Sequence, residues 1–393
     1  MLPMNSSLDA IEPSGIRRFN ALAKATPGCL LLTLGELEFA TPAEVSACVP
    51  TALAEGRTHY PANNGEPYLL QAISSYMAEQ GLDYAPDEVI ATVGATEALF
   101  ATLFALLEPG DEVIIPVPAF GLYEAIVRMC RGVPVMLDTC ATGFEFDRAQ
   151  LDAVVSPRTK AIVLTSPNNP TGCVYGKRAL SAVADVACAN GMFVICDDVY
   201  NRLVYADAPV VSAEGGEAQV CASPYPRFAV EHACLRDRII VVDSFSKPWA
   251  MTGWRLGWLA AARPVKEQIQ KVHQYMVSSV PNFLQSAAVC ALLTSPDAMV
   301  ETYRTRRDLV VSRLRAMGFD VEKPQGAFYV FPSISRFGMG SEEFCERLIR
   351  EAGVGLVPGT CFGTEGFVRL SYCVSDEVLE EALTRIGRWV EAL

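Results

Sequence analysis

The stretch Ser244-Phe245-Ser246-Lys247-Pro248-Trp249-Ala250-Met251-Thr252-Gly253-Trp254-Arg255-Leu256-Gly257 connects two short apolar runs, 239–242 and 256–260, both with the composition of β-strands. It sets a lysine, two serine hydroxyls and an arginine into one connection. Phe245, Pro248, Trp249 and Met251 surround Lys247 with apolar side chains, which argues for partial burial rather than a solvated surface position. Burial disfavours the ammonium form, lowers the lysine pKa and leaves the neutral amine that attacks carbonyl groups.

Working upstream, runs 89–93, 112–115, 133–137, 161–164 and 193–196 have the same strand character, and helical patterns fill 96–107, 122–130 and 177–190. Short strands alternating with helices predict an α/β fold with a mostly parallel sheet of seven strands. Most of the runs are continuously apolar, as expected where helices cover both faces. The alternation stops near residue 262. A long helical region from 264 to about 293 is expected next, then another over 297–317. Segments 321–332 and 368–372 predict strands of a separate unit, with a helix over 341–352 between them. The expected division is a large domain, 46–285, and a smaller α+β domain made of 1–45 and 286–393. Segment 206–236, rich in Ala, Gly, Ser and Pro, predicts a surface excursion between two strands.

In open α/β sheets, ligands bind beyond the carboxyl ends of the strands. Three further motifs fall there. Gly94-Ala95-Thr96-Glu97 follows a strand and opens a helix, where small residues and free N–H groups suit an anion, although any strand-to-helix turn needs a glycine. Ser166-Pro167-Asn168-Asn169-Pro170-Thr171-Gly172 has the composition of an ordinary turn, or of a stiff backbone that aims Asn169 into a cleft. Asp197 ends an apolar strand, a costly place for a carboxylate without a cationic partner, and Tyr200 follows three residues on.

The bulk properties exclude several classes. The chain has 393 residues, 51% hydrophobic, with a net charge of −13. An acidic surface repels phosphate backbones and anionic lipid, so neither nucleic acid nor membrane is an expected partner. Thirteen scattered cysteines, none in a CxxC pair, and three histidines offer little for a metal site and suit free thiols in a reducing cytosol. The first fifteen residues lack a basic region followed by an apolar run, and the longest apolar stretches are too short to span a bilayer. A soluble cytoplasmic protein is the expectation.

The run SFSKPWAMTGWRLGW resembles the cofactor-lysine signature of the aspartate aminotransferase superfamily, the fold type I pyridoxal 5′-phosphate (PLP) enzymes that include the class I/II aminotransferases. The resemblance extends along the whole chain in one collinear order: LTLGELEF, Tyr60, the motifs above, KPQGAFYVFP, VPGTCFG and FVRLSY. It implies that Lys247 forms the internal aldimine with PLP and then shuttles a proton. It implies that Asp197 pairs with the pyridinium nitrogen, that Asn169 and Tyr200 bond the phenolic oxygen, and that Phe120 stacks on the ring. Ala95, Thr96, Ser244, Ser246 and Arg255 would hold the phosphate, joined by Tyr60 from the partner subunit of a homodimer. Arg369 would clamp the substrate α-carboxylate, helped by the backbone around Gly35.

The pattern departs from many relatives at Leu37 and Glu38, where Pro-Asp is common, and in the length of the segment between Asp197 and Lys247. Thr96 stands where some aspartate-specific relatives carry a lysine for the distal carboxylate. The implied activity is an aminotransferase that moves an amino group from an L-amino acid to a 2-oxo acid in a ping-pong cycle. A PLP-dependent C–S lyase or an aminocyclopropane-carboxylate-synthase-like enzyme of the same fold stays open. A non-catalytic PLP-binding effector domain would need a DNA-binding unit for which the first 45 residues leave no room. Met251, Trp254 and Trp258 are expected to pack, Arg17 and Arg18 to be a solvated pair near the entrance, and His59 to have no role.

Overall fold

The computed structural model describes residues 4–205, 207 and 225–393. Seven strands form one sheet: β1 (Val89–Thr92), β2 (Glu112–Val117), β3 (Val133–Asp138), β4 (Thr159–Thr165), β5 (Phe193–Asp197), β6 (Ile239–Ser244) and β7 (Gly257–Ala261). Their order is β1-β7-β6-β5-β4-β2-β3. Neighbours are parallel except at β7, which is antiparallel to both β1 and β6. The other six strands therefore run one way, and their carboxyl ends share one edge with the start of β7. This is the mixed, mostly parallel sheet that the sequence predicts, with each strand within two residues of its expected bounds. Strand β3 is the exception in burial, because it lies at the edge and leaves Val133 and Met136 to solvent.

Alternate residues of each strand feed two cores, as the two-residue side-chain period requires. On one face Ile90, Ile240 and Leu259 pack with Leu99, Leu103 and Ile269 from helices Gly94–Leu106 and Arg263–Met276. On the other, Ala91, Val241 and Trp258 pack with Ile73 and Tyr76 of helix Pro67–Glu79, Val183 of helix Lys177–Asn190, and Ala288 of helix Asn282–Leu292. A third core gathers Phe19, Tyr303, Val310, Phe328, Phe344, Leu370, Leu383 and Trp389. It lies among helices Gly15–Ala25, Asp297–Ala316, Ser341–Arg347 and Asp376–Glu391. These surround a small antiparallel sheet of Val357–Pro358, Val368–Ser371 and Tyr329–Val330, while Leu30–Leu31 pairs with Val354–Gly355 in parallel.

The structure corrects two expectations. The helical region expected from 264 to 293 is broken between Met276 and Asn282. Ser278 turns left-handed there (φ 69°), and Pro281 has no N–H to continue a helix. The strand expected over 321–332 shrinks to Tyr329–Val330. The preceding backbone bonds to the larger body instead: Gln325 N–H to Gly172 O (2.9 Å), and Ala327 N–H to Leu203 O (2.8 Å). Most of segment 206–236 lies outside the described residues, although helix Phe228–Glu231 falls within it. Among the described residues no single helix is long and apolar enough to cross a membrane.

Trp258 is 1% exposed and packs against the rings of Phe245 and Tyr76. Truncating it leaves a cavity under the central strands, so Trp258→Ala is expected to lower unfolding stability by about 3–5 kcal/mol, read from urea denaturation.

Candidate active site

A cleft of about 490 Å³ opens at the shared carboxyl edge of the sheet, between the seven-stranded body and the third core. Gly35, Ala95, Thr96, Phe120, Asn169, Asp197, Tyr200, Ser244, Ser246, Lys247, Arg255 and Arg369 all line it. Tyr60 does not, and stands 92% exposed on the outer surface.

Lys247 follows β6 and points its Nζ to the carbonyl of Gly35 (2.8 Å), with no carboxylate within ion-pair distance among the described residues. Its ammonium lies beside the rings of Tyr200 and Phe328. Burial pushes its pKa down to about 8, opposed by Cys373 and reinforced by the positive charge of Arg369. Asp197, at the end of β5, accepts a hydrogen bond from Tyr123 Oη (2.6 Å), which in turn accepts one from Thr165 Oγ1 (2.7 Å). Burial raises the Asp197 carboxyl to about 6, against these hydrogen bonds. A carboxylate held so far from water gains most from a cation placed against its free oxygen.

Arg369, on strand Val368–Ser371, is almost fully buried. It donates to Asn169 Oδ1 (2.8 Å) and to Thr33 O (2.5 Å) and lies over the rings of Tyr329 and Phe362, yet its Nε has no partner. Desolvation pulls its pKa down. A guanidinium with an unused donor in such a place suits a carboxylate, whose two oxygens match its planar fork. Tyr200 and Tyr329 share a hydrogen bond of 3.0 Å between their hydroxyls, and burial raises both phenols.

Gly257 starts β7 and pairs with Ser244 on one side and Thr92 on the other, so it draws the Gly94-Ala95-Thr96 turn against Ser244 and Ser246. A Cβ on Gly257 would lie 2.8 Å from Asp243 O and 2.9 Å from Ala95 N. Arg255 is held left-handed (φ 55°) and sets its guanidinium where a Cβ on Gly94 would meet it at 2.7 Å. Helix-start N–H groups, two hydroxyls and an arginine thus converge on one spot, the donor set a phosphate needs. With a partly buried amine, a buried carboxylate and the Phe120 ring lining the same cleft, this set fits pyridoxal phosphate part by part.

Known proteins agree. The chain matches the model of the family described as aminotransferase class I and II over residues 27–386. It is 38% identical to an aspartate aminotransferase of Pyrococcus horikoshii, covering 97% of this chain and 95% of the relative. It is 36% identical to aromatic-amino-acid aminotransferase 2 of Thermococcus litoralis, covering 98% of each. A solved structure of an aspartate aminotransferase from Thermus thermophilus with maleate superposes with a TM-score of 0.89 at 35% identity, covering 99% of this chain and 100% of that one.

The chain belongs to the class I and II aminotransferases. It is a transaminase of the fold type I architecture, and its cofactor is pyridoxal phosphate. The relatives named are all aminotransferases, so the lyase alternative is not favoured. When bound, the cofactor withdraws electrons from the substrate α-carbon and makes the α-proton removable.

The sequence reading missed Tyr123 and Tyr329 as cleft residues, although Tyr329 stands in the quoted run KPQGAFYVFP. Tyr123 stands in the first turn of helix Leu122–Met129, and its ring meets that of Phe120, just before the helix, edge-on. Arg17 and Arg18 part company: Arg17 lines the cleft, and Arg18 pairs with Glu342 (2.7 Å). Met251 and Trp258 are buried packing residues and Trp254 is partly buried, while His59 lies outside the cleft.

Two outcomes follow from this geometry. Gly257→Ala forces Ala95 away from Ser244, so the dissociation constant for pyridoxal phosphate should rise at least about tenfold in fluorescence titration. The neutral amine of Lys247 is the reactive form, so its coupling rate with added cofactor should rise with pH, reach half-maximum near pH 8 and level off above. An ordinary lysine would still be gaining rate near pH 10.

Proposed function

We propose that this aminotransferase uses Lys247 as both the cofactor's covalent anchor and the proton carrier, and Arg369 as the clamp on the substrate α-carboxylate. The observation that carries this reading is that the buried Arg369 and the partly buried Lys247, from two different bodies, face one cleft without an ion-pair partner among the described residues. Asp197, steadied by Tyr123, keeps the cofactor ring nitrogen protonated. Asn169 and Tyr200 hold the phenolic oxygen, and Phe120 covers one ring face. Ala95, Thr96, Ser244, Ser246 and Arg255 hold the phosphate. A carboxylate fixed on Arg369 and on the backbone near Gly35 orients the α-hydrogen towards Lys247. The amine is placed to take that proton and hold it for return. With the cofactor bound, the proton would pass to the far side of the substrate nitrogen, and water would then release the 2-oxo acid and leave the amino group behind.

The enzyme works as a cytoplasmic homodimer, with Tyr60 of each subunit reaching the phosphate site of the other. Tyr60, Tyr275 and Leu293 are large side chains left uncovered, which supports a subunit contact. The chain divides into a large domain, 46–285, and a small one, 1–45 with 286–393. Helix Asn282–Leu292 straddles the division and adds Ala287, Ala288 and Ala291 to the core of the large body. Closure of the small domain on substrate binding would bring Arg369 towards Lys247 and exclude water.

Single amino acids added to the holoenzyme without any oxo acid test the reading. A donor should bleach the visible band of the cofactor, release one equivalent of its 2-oxo acid per site, and leave an enzyme that a 2-oxo acid restores. Continuous release of ammonia with a recovering band would mean a lyase. Arg369→Leu should lower kcat/KM by on the order of 10²–10³, the loss of two charge-assisted hydrogen bonds. For the shared site, Tyr60→Ala subunits mixed with Lys247→Ala subunits should regain tight cofactor binding at one site per heterodimer, and no recovery would place Tyr60 outside the neighbouring site.

A further inference from the structure

Helix Gly94–Leu106, whose first turn forms the phosphate site, carries a carboxylate where an anion site should least want one. Glu97 is buried in that first turn, directly after Thr96. Its Oε2 accepts the N–H of Val93, and its Oε1 lies 2.6 Å from Nδ1 of His273. The His273 side chain is wholly buried in the last turn of helix Arg263–Met276, 176 residues away in sequence. Its other nitrogen, Nε2, lies 2.8 Å from the carbonyl oxygen of Asn63, in the segment that carries Tyr60.

A carbonyl oxygen can only accept, so Nε2 carries a hydrogen, and the 2.6 Å contact needs a second proton between Nδ1 and Glu97. With that proton on the ring, the pair is an imidazolium beside a carboxylate. Burial and the charge of Lys266 oppose this, but the hydrogen bond and charge of Glu97, with the Asn63 carbonyl, raise the pKa of His273 above its ordinary value. The helix end favours it too, since the last turn of a helix attracts positive charge. Lys266 itself bonds Gln270 (2.6 Å), and on the opposite side Arg255 faces Gly94.

We propose that His273 is the counter-ion of Glu97 and so a positioning residue of the cofactor site: it cancels the carboxylate charge beside the phosphate turn and ties that turn to the Tyr60 segment. This rests on the phosphate lying at Ala95 and Thr96, as in the proposed function. Without the imidazolium, a bare carboxylate would repel the phosphate dianion across a poorly screened interior.

The test compares binding of pyridoxal phosphate and of pyridoxal, which lacks the phosphate, to the full-length protein. His273→Gln should weaken pyridoxal phosphate about tenfold or more while changing pyridoxal less than about threefold. Adding Glu97→Gln to that variant should restore the preference to within about threefold of wild type, because no buried charge is left. Equal weakening of both ligands, or no restoration in the double variant, would overturn the proposal. Arg255→Gln separates the two layers. If it lowers the preference and His273→Gln does not, the His273 assignment alone fails; if neither does, the phosphate placement fails with it. A second measurement needs no variant. The chain has only three histidines, so ¹⁵N spectra of the histidine-labelled holoenzyme at neutral pH should show one ring protonated at both nitrogens, and three neutral rings would contradict the proposal.

Discussion

An amine held in a half-closed cleft, with no ion-pair partner among the described residues, is the constraint around which this protein is arranged. Lys247 touches a backbone carbonyl and aromatic rings, and shares its cleft with the positive Arg369. Desolvation and like charge both push the amine towards its neutral form, which is the form a carbonyl-bearing cofactor needs. The same isolation makes Arg369 receptive to a substrate carboxylate. Each cation would be costly in the fold by itself, and together they define a site that binds anions at one end and performs amine chemistry at the other.

The sheet places these groups through its one reversed strand. Because β7 runs antiparallel between β1 and β6, Gly257 stands beside Thr92 and Ser244 at once. The Gly94-Ala95-Thr96 turn after β1 and the lysine turn after β6 therefore meet, though about 150 residues of sequence separate them. Only glycine fits at 257, where backbone atoms of Asp243, Gly94 and Ala95 lie within 3 Å of any added Cβ. Arg369 comes from the third core, so the site is complete only where two bodies face each other. How those bodies are held therefore matters, and the hydrogen bond from Arg369 to Asn169 ties them across the cleft.

Much of this was legible in the sequence because the decisive signals are local. Buried parallel strands must be apolar runs, and the turns after them need Gly, Pro, Asn or Ser, so the seven strands and the residues just beyond them stand out. What escaped was set by distant contacts. Nothing in 321–332 announces that its backbone will bond Gly172 and Leu203 rather than pair as a strand. The break at 277–281 rests on a left-handed Ser278 and on Pro281, while helical patterns on both sides of it read as one run. Tyr123 finds Asp197 across 74 residues, Tyr200 finds Tyr329 across 129, and His273 finds Glu97 across 176. No spacing rule joins such pairs, and none of those residues belongs to a type that demands a partner until it is buried.

The central claim is that Lys247 is the one lysine that carries the cofactor. Reducing the holoenzyme with borohydride and mapping the modified peptide tests it most directly. The account predicts a single equivalent of the reduced cofactor per chain, on the peptide containing Lys247, and none in Lys247→Ala. Label on an exposed lysine such as Lys177, or an unlabelled Lys247 in protein that still transaminates, would contradict it.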